Sequence, residues 1–145
     1  MARVSTYLNF QGNTEQAFNF YKSIFEGEFL APGLSRYKNM TLPDGLAPLP
    51  EKEQNLVMHV ELEIIGGHIL MASDSLDSMG YKINFGNNSH INLELDSKDQ
   101  MLKLFKALSQ KGQITQEPAD MFWGTYYGSC IDQFGVNWMF NFIEK

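Results

Sequence analysis

Cysteine is almost missing from this chain. Cys130 stands alone among 145 residues, so no intrachain disulfide can form and a reducing compartment is expected. Long apolar runs are also missing. No stretch approaches the ~20 apolar residues that cross a bilayer, and MARVSTYLNF at the start lacks the apolar core of a signal peptide. The expectation is a cytoplasmic protein with no membrane partner. Basic residues are few: 11 Lys and Arg stand against 17 Asp and Glu, for a net charge of −6 and a pI near 4.9. A phosphate backbone is held by concentrated positive charge, so nucleic acid is not an expected partner. No GxGxxG-like turn is present to cradle a nucleotide. Ser73-Asp74-Ser75 lacks the acid spacing of a calcium loop and reads as a strand end with a turn.

What is present is a well-patterned chain, 43% hydrophobic, long enough for one globular domain with a sizeable core. Its most ordered stretch runs from His90 to Gln113. Ile91, Leu93 and Leu95 alternate with His90, Asn92 and Glu94, as in a strand with one wet face. Ser97 and Gln100 have the spacing of a capping box, and Met101, Leu104, Phe105 and Leu108 follow at helical spacing. This pattern occurs twice. Moved back by 84 positions, from Ser97 to Asn13, it lies over Thr6 to Glu28 and pairs Gln16 with Gln100, Tyr21 with Phe105 and Ile24 with Leu108. Gly27 then answers Gly112.

Each half reads β-α-β-β-β. In the first, Arg3 to Phe10 is a strand, and Asn13 is expected to cap a helix to Phe25 with Ala17, Phe20, Tyr21, Ile24 and Phe25 inward and Gly27 at its end. A strand over Glu28 to Met40 is interrupted near Pro32-Gly33, which suits a sheet edge. Leu56 to Ile64 alternates and turns at Gly66-Gly67 into HILMASD, a hairpin. Residues 41–55 hold three of the five prolines and read as a long connection, with Leu42, Leu46 and Leu49 available to fold over a pocket or partner. A polar loop from Ser75 to Ser89 joins the halves, with Tyr81, Ile83 and Phe85 as a short lid. In the second half, Gln113 to Glu117 is a strand stopped by Pro118. Gly124 to Ile131 and Val136 to Phe142 follow, joined by Asp132-Gln133-Phe134-Gly135. Met71 and Met139 occupy matching places in the last strands. The expected fold is α+β, two βαβββ modules at about 1–75 and 89–145 in one domain, forming a cupped mixed sheet with the helices outside.

YLNFQGNTEQAFNFY, LMASD and FWGTYYGSCIDQFGVNWMFN resemble the PhnB-like branch of the vicinal oxygen chelate superfamily, which includes glyoxalases, dioxygenases and bleomycin-resistance proteins. Members of that branch are often labelled 3-demethylubiquinone methyltransferase-like, a label the residues do not support, because no Gly-rich nucleotide turn is present. In metal-binding members of the superfamily the first and last strands of each half supply one ligand each. The resemblance puts those positions on Thr6, Met71, His90 and Met139, where only His90 suits zinc or nickel. It therefore implies no family metal site and no cofactor, with a displaced set of His90, Glu94 and His59 as the alternative. The expected binding residues are Thr6, Met71, His90, Asn92, Glu94, Trp123 and Met139.

The expected partner is a small, partly aromatic or apolar ligand, with Phe122, Trp123, Tyr126 and Tyr127 lining an adaptable pocket alongside the methionines. A metal-dependent lyase or dioxygenase and a pocketless structural protein are the alternatives. His90 with Glu94 could serve acid–base chemistry or make a paired polar interior. His59, Glu61 and Glu63 read as a solvated face, His68 as a loop residue and Cys130 as buried packing. The resemblance and the exposed strand edges point to a homodimer.

Overall fold

Most strands in this chain form where apolar and polar residues alternate, and the two long helices form where apolar residues recur at three and four. The structure is a computed structural model that describes residues 1–144. Its contacts divide into two units, Met1–Asn84 and Phe85–Lys145. Among the described residues no helix is long and apolar enough to cross a membrane.

The first unit contains β1 (Thr6–Phe10), α1 (Thr14–Phe25), β2 (Ser35–Arg36), the single-turn α2 (Glu51–Gln54), β3 (Val57–Glu63) and β4 (Ile69–Asp74). Its sheet runs β1-β4-β3-β2. β1 and β4 are parallel and the remaining pairs are antiparallel. The second contains β5 (Ile91–Glu94), α3 (Lys98–Leu108), β6 (Gln113–Asp120), β7 (Tyr126–Ile131) and β8 (Asn137–Phe142). The order β5-β8-β7-β6, with β5 parallel to β8, is the same topology. The duplicated βαβββ reading therefore holds, as two four-stranded mixed sheets.

Each sheet has one covered and one open face. In the first unit Phe10, Val60, Leu62, Leu70 and Ala72 are buried on the face that α1 packs against, through β3 and β4. In the second, Leu93, Cys130, Trp138 and Phe140 are buried and α3 packs on β7 and β8. Each fully buried large side chain contributes about 1.5–3 kcal/mol. α3 buries Met101, Leu104, Phe105 and Leu108, as the spacing predicts. α1 is rotated from its predicted stripe. It buries Thr14, Ala17, Phe18 and Tyr21, and leaves Phe20, Ile24 and Phe25 half-buried.

The rotation follows from how α1 starts. Asn13 makes no side-chain cap. The Asp74 carboxylate, from the end of β4, accepts from the Gly12 and Thr14 N–H groups at 2.9 and 3.1 Å and from the Thr14 hydroxyl at 2.8 Å. It also accepts from the Val57 N–H at 2.8 Å. Three segments are thus tied to one buried acid, which turns Thr14 inward. The expected terminal role of Gly27 also changes: Glu26 takes the left-handed position (φ 54°). Gly27 is needed for closeness, since a Cβ there would lie 3.1 Å from the Glu63 carbonyl oxygen.

Two strand limits differ from expectation. Only Ser35–Arg36 and a bridge from Phe29 to Leu62 pair within the predicted Glu28–Met40 strand. β6 continues through Pro118 to Asp120, with its register broken between Gln116 and Ala119. An edge strand tolerates the missing N–H of proline, and Gly128 opposite leaves room for the Pro118 ring.

Candidate functional site

The open faces collect the polar chemistry, and strand register decides which residues share them. Parallel pairing sets Tyr7 beside Met71 and Asn9 beside Ser73, while antiparallel pairing sets Glu61 beside Met71. Side chains alternate along a strand, so Ser5, Tyr7, Asn9, Glu61, Met71 and Ser73 share one face. Thr6 pairs with Leu70 and takes the face of Leu8 and Phe10. Its hydroxyl shares a 2.8 Å hydrogen bond with His68 Nε2. Thr6 and Met71 therefore do not meet on one face, contrary to the expected set, and His68 has a defined partner.

The displacement has a simple source. Asn92 pairs with Met139 as Tyr7 pairs with Met71, so matching strand positions lie 85 apart, Tyr7 to Asn92. The helix caps lie 84 apart, Asn13 to Ser97. The first strand-to-helix turn holds one residue more, accommodated by Gly12 at φ +106°. A one-residue slip reverses every side chain. The counterpart of His90 is thus Ser5, whose hydroxyl donates to the Met71 sulfur at 3.9 Å. The inward alternation of Leu8 and Phe10 was the available signal.

Around Met71 the polar groups are joined. The Tyr7 hydroxyl contacts His59 Nδ1 at 3.2 Å and also bonds to the Ser73 hydroxyl. Ser73 Oγ lies 2.8 Å from the Met58 carbonyl oxygen. His59 Nε2 stands 3.4 Å from Glu61 Oε2, and Arg3 reaches Glu61 at 3.6 Å. His59 and Glu61 are half-buried, so the expected solvated face is a connected one. Next to it, Asn9, Tyr37, Ser73, Leu76, Met79 and Lys82 are among the residues lining a cleft of 390 Å³. Tyr81 and Ile83 also line it, positioned by Gln11, whose side chain donates to the Tyr81 carbonyl and accepts from the Ile83 N–H. The Tyr37 hydroxyl donates to the Asp74 carbonyl at 2.8 Å. Burial, with the negative Asp74 nearby, pushes the Tyr37 phenol above its ordinary range.

In the second unit, His90, Asn92 and Glu94 are exposed on the open face. Asn92 and Ser129 flank Met139, while Glu94 and Tyr127 flank Asn141. The Asn141 amide donates to Asn92 Oδ1 at 2.5 Å, and Ser129 shares a 2.7 Å bond with Thr115. Glu94, Asp96, Asn141, Phe142 and Ile143 are among the residues lining a 590 Å³ cleft. Trp123 is half-exposed at the tip between β6 and β7, packed edge-on to Tyr127 with 6.1 Å between ring centres. Tyr126 points to the helix side, where the Lys98 ammonium sits 4.6 Å from its ring centre. The predicted aromatic cluster is thus divided between two faces. Cys130 is buried, and desolvation, assisted by Asp132, pushes its thiol up to about 12. An inert packing thiol results.

Zinc or nickel requires three or more nitrogen, oxygen or thiolate donors at close range. Met71 and Met139 supply thioethers, and among the described residues no group of three or more His, Cys, Asp or Glu converges. The donor set does not fit such an ion.

The sequence profile of the Glyoxalase/Bleomycin resistance protein/Dioxygenase superfamily matches residues 3–140. The chain belongs to this superfamily. Protein YjdN of Escherichia coli K12 is 26% identical over 151 residues, covering 98% of this chain and 96% of that protein. Protein PA1353 from Pseudomonas aeruginosa has a solved structure that superposes with a TM-score of 0.78 at 31% identity, covering both chains in full. A PhnB protein from Bacillus cereus superposes at 0.76 with 24% identity, over 97% of this chain and 99% of its own. The resemblance to the PhnB-like branch agrees with these superfamily relatives.

Proposed function

We propose that this superfamily member binds a small, partly aromatic or apolar molecule on its open sheet faces, without the metal used by other members. The observation that carries the reading is the central residue of each face. Met71 stands between Tyr7 and Glu61, and Met139 between Asn92 and Ser129. A thioether framed by a few hydrogen-bonding groups is an adaptable apolar floor with polar orientation points. His90, Asn92, Glu94 and Trp123 belong to the second face, and Thr6 serves behind the first through His68. The proposed assembly is a homodimer, supported by the exposed Ile114, Phe122 and Trp123 on or beside the edge strand β6. A cytoplasmic setting is supported by the single buried thiol.

The test joins metal analysis with ligand screening. Protein purified without chelator is expected to carry no stoichiometric divalent ion. A small aromatic ligand is expected to shift amide signals of Met71 and Met139 and to bind more weakly after Met139→Glu. One tightly held ion per chain, lost on His90→Ala, would overturn the metal-free reading in favour of a rearranged metal enzyme. A complete failure of the screen favours a structural role.

A further inference from the structure

The hydrogen-bond chain on the open face of the first unit has only one consistent direction. The Met58 carbonyl can only accept, so the Ser73 hydroxyl uses its single proton there, at 2.8 Å. The bond between Tyr7 and Ser73 is then donated by Tyr7. With its proton used, the Tyr7 oxygen accepts from His59 Nδ1 at 3.2 Å. A neutral imidazole has one N–H, so His59 presents Nε2 as a bare acceptor. That acceptor stands 3.4 Å from Glu61 Oε2, and neither atom can donate to the other. The Glu61 side chain is only 22% exposed, and Arg3 stays 3.6 Å from Oε1, beyond hydrogen-bond reach. Among the described residues, nothing donates a hydrogen bond to Nε2 or to Oε2.

We infer that His59 Nε2 and Glu61 Oε2 form an acceptor pair that binds the ammonium group of a small aromatic amine. The inference rests on the small-molecule reading above and adds the ligand's chemical class. A partly buried acceptor without a donor is costly, and here two converge on one space. An ammonium carries three N–H donors on a compact charge, so one such group serves both acceptors. Of the other charged groups, Glu63 lies on the same side of β3 as Glu61, and Lys82 lines the neighbouring cleft beyond Ser73. Arg3 answers Oε1 only, which leaves Oε2 and Nε2 to the ligand. Asp74 takes no part, because its carboxylate already accepts four hydrogen bonds. Met71 lies beside both Tyr7 and Glu61, so its thioether supports the aromatic ring of the amine, a contact that sulfur favours. Tyr7 is a positioning residue that holds the His59 proton on Nδ1. No covalent step is involved.

The probe is 2-phenylethylamine, with 2-phenylethanol as its uncharged counterpart, added to the intact protein in mildly alkaline buffer. There a free imidazole is neutral and an alkylamine is still an ammonium. Ring-nitrogen NMR of the ligand-free protein, assigned with His59→Gln, is expected to show the His59 proton on Nδ1. Tyr7→Phe is expected to move that proton to Nε2, where it faces Glu61. The amine is expected to shift the Nε2 signal and to bind about tenfold or more tightly than the alcohol, because its hydrogen bond to a carboxylate is charge-assisted. Glu61→Gln and Tyr7→Phe should each weaken the amine about tenfold or more. Both side chains reach solvent, so both variants are expected to keep the wild-type melting curve. A proton already on Nε2 in the ligand-free protein overturns the inference. Equal binding of amine and alcohol also overturns it, and leaves the small-molecule reading standing. Stoichiometric zinc on the ligand-free protein, lost with His59→Gln, overturns it in favour of a metal site. Failure of the amine to bind overturns this inference alone, since the broader reading is decided by its own ligand screen.

Discussion

The two units share a backbone plan and differ in how each secures its helix and its buried acid. α3 caps itself: the Gln100 N–H donates to Ser97 Oγ at 3.1 Å, and the Gln100 side chain accepts from the Asp96 N–H at 2.9 Å. α1 relies on Asp74, sixty residues away from Thr14 in the chain. The buried acid of the second unit, Asp132, has another task. It accepts from the Phe134 and Val136 N–H groups at 2.8 and 3.1 Å and from the Trp138 indole at 2.9 Å, which fixes the β7–β8 turn. Local bonds suffice for one helix and a tertiary bond is needed for the other. The first unit is consequently the more dependent on a single side chain, and that side chain also abuts the cleft.

The largest expected effect breaks this dependence directly. Asp74→Ala removes the acceptor of four hydrogen bonds and leaves the N–H groups of Thr14 and Val57 without a partner in a buried setting. A loss of roughly 3–5 kcal/mol is expected, measured by urea unfolding. Hydrogen exchange should place the earliest opening at α1. Equal protection loss in α3 would contradict the division of labour.

The paired glycines give the next effect. A Cβ on Gly112 would lie 2.2 Å from the Ile131 carbonyl oxygen, against 3.1 Å to the Glu63 carbonyl for Gly27. Gly112→Ala is expected to destabilise by about 2–3 kcal/mol and Gly27→Ala by distinctly less, compared by thermal melting. The caps separate more finely. Ser97→Ala should lower stability by about 1 kcal/mol, while Asn13→Ala should stay within about 0.5 kcal/mol, because Asn13 makes no cap bond.

The smallest effect is electrostatic. Arg36 holds Glu15 through two bonds at 3.0 and 2.9 Å, and these bonds draw the Glu15 carboxyl below its ordinary 4.5. A lowered folded-state value means stability that is present above 4.5 and lost as pH falls through the folded value. Both side chains are about a third or more exposed, so the contribution is at most about 0.5 kcal/mol. Glu15→Gln should flatten the acid limb of the stability curve by that amount, and added salt should shrink the difference.

Strand parity, the capping box at Ser97 and Gln100, the apolar stripe of α3 and the turn at Gly135 were legible in the sequence by itself. Each depends on residues within a few positions of one another, where backbone geometry leaves little choice. The doubled βαβββ order was legible too, because it is a succession of such local patterns. Only the tertiary structure decided that Asp74 starts α1, that Tyr7 stands beside Met71, and that His59 joins Tyr7 and Ser73. Those outcomes depend on which strands lie side by side and in what register. One extra residue between β1 and α1 makes the strands correspond at an offset of 85 where the helices correspond at 84, so an alignment set on the helices assigns β1 to the wrong face. The physical reason is the distance over which the deciding contacts act: Ser97 meets its partner three residues on, whereas Tyr7 meets His59 fifty-two residues away.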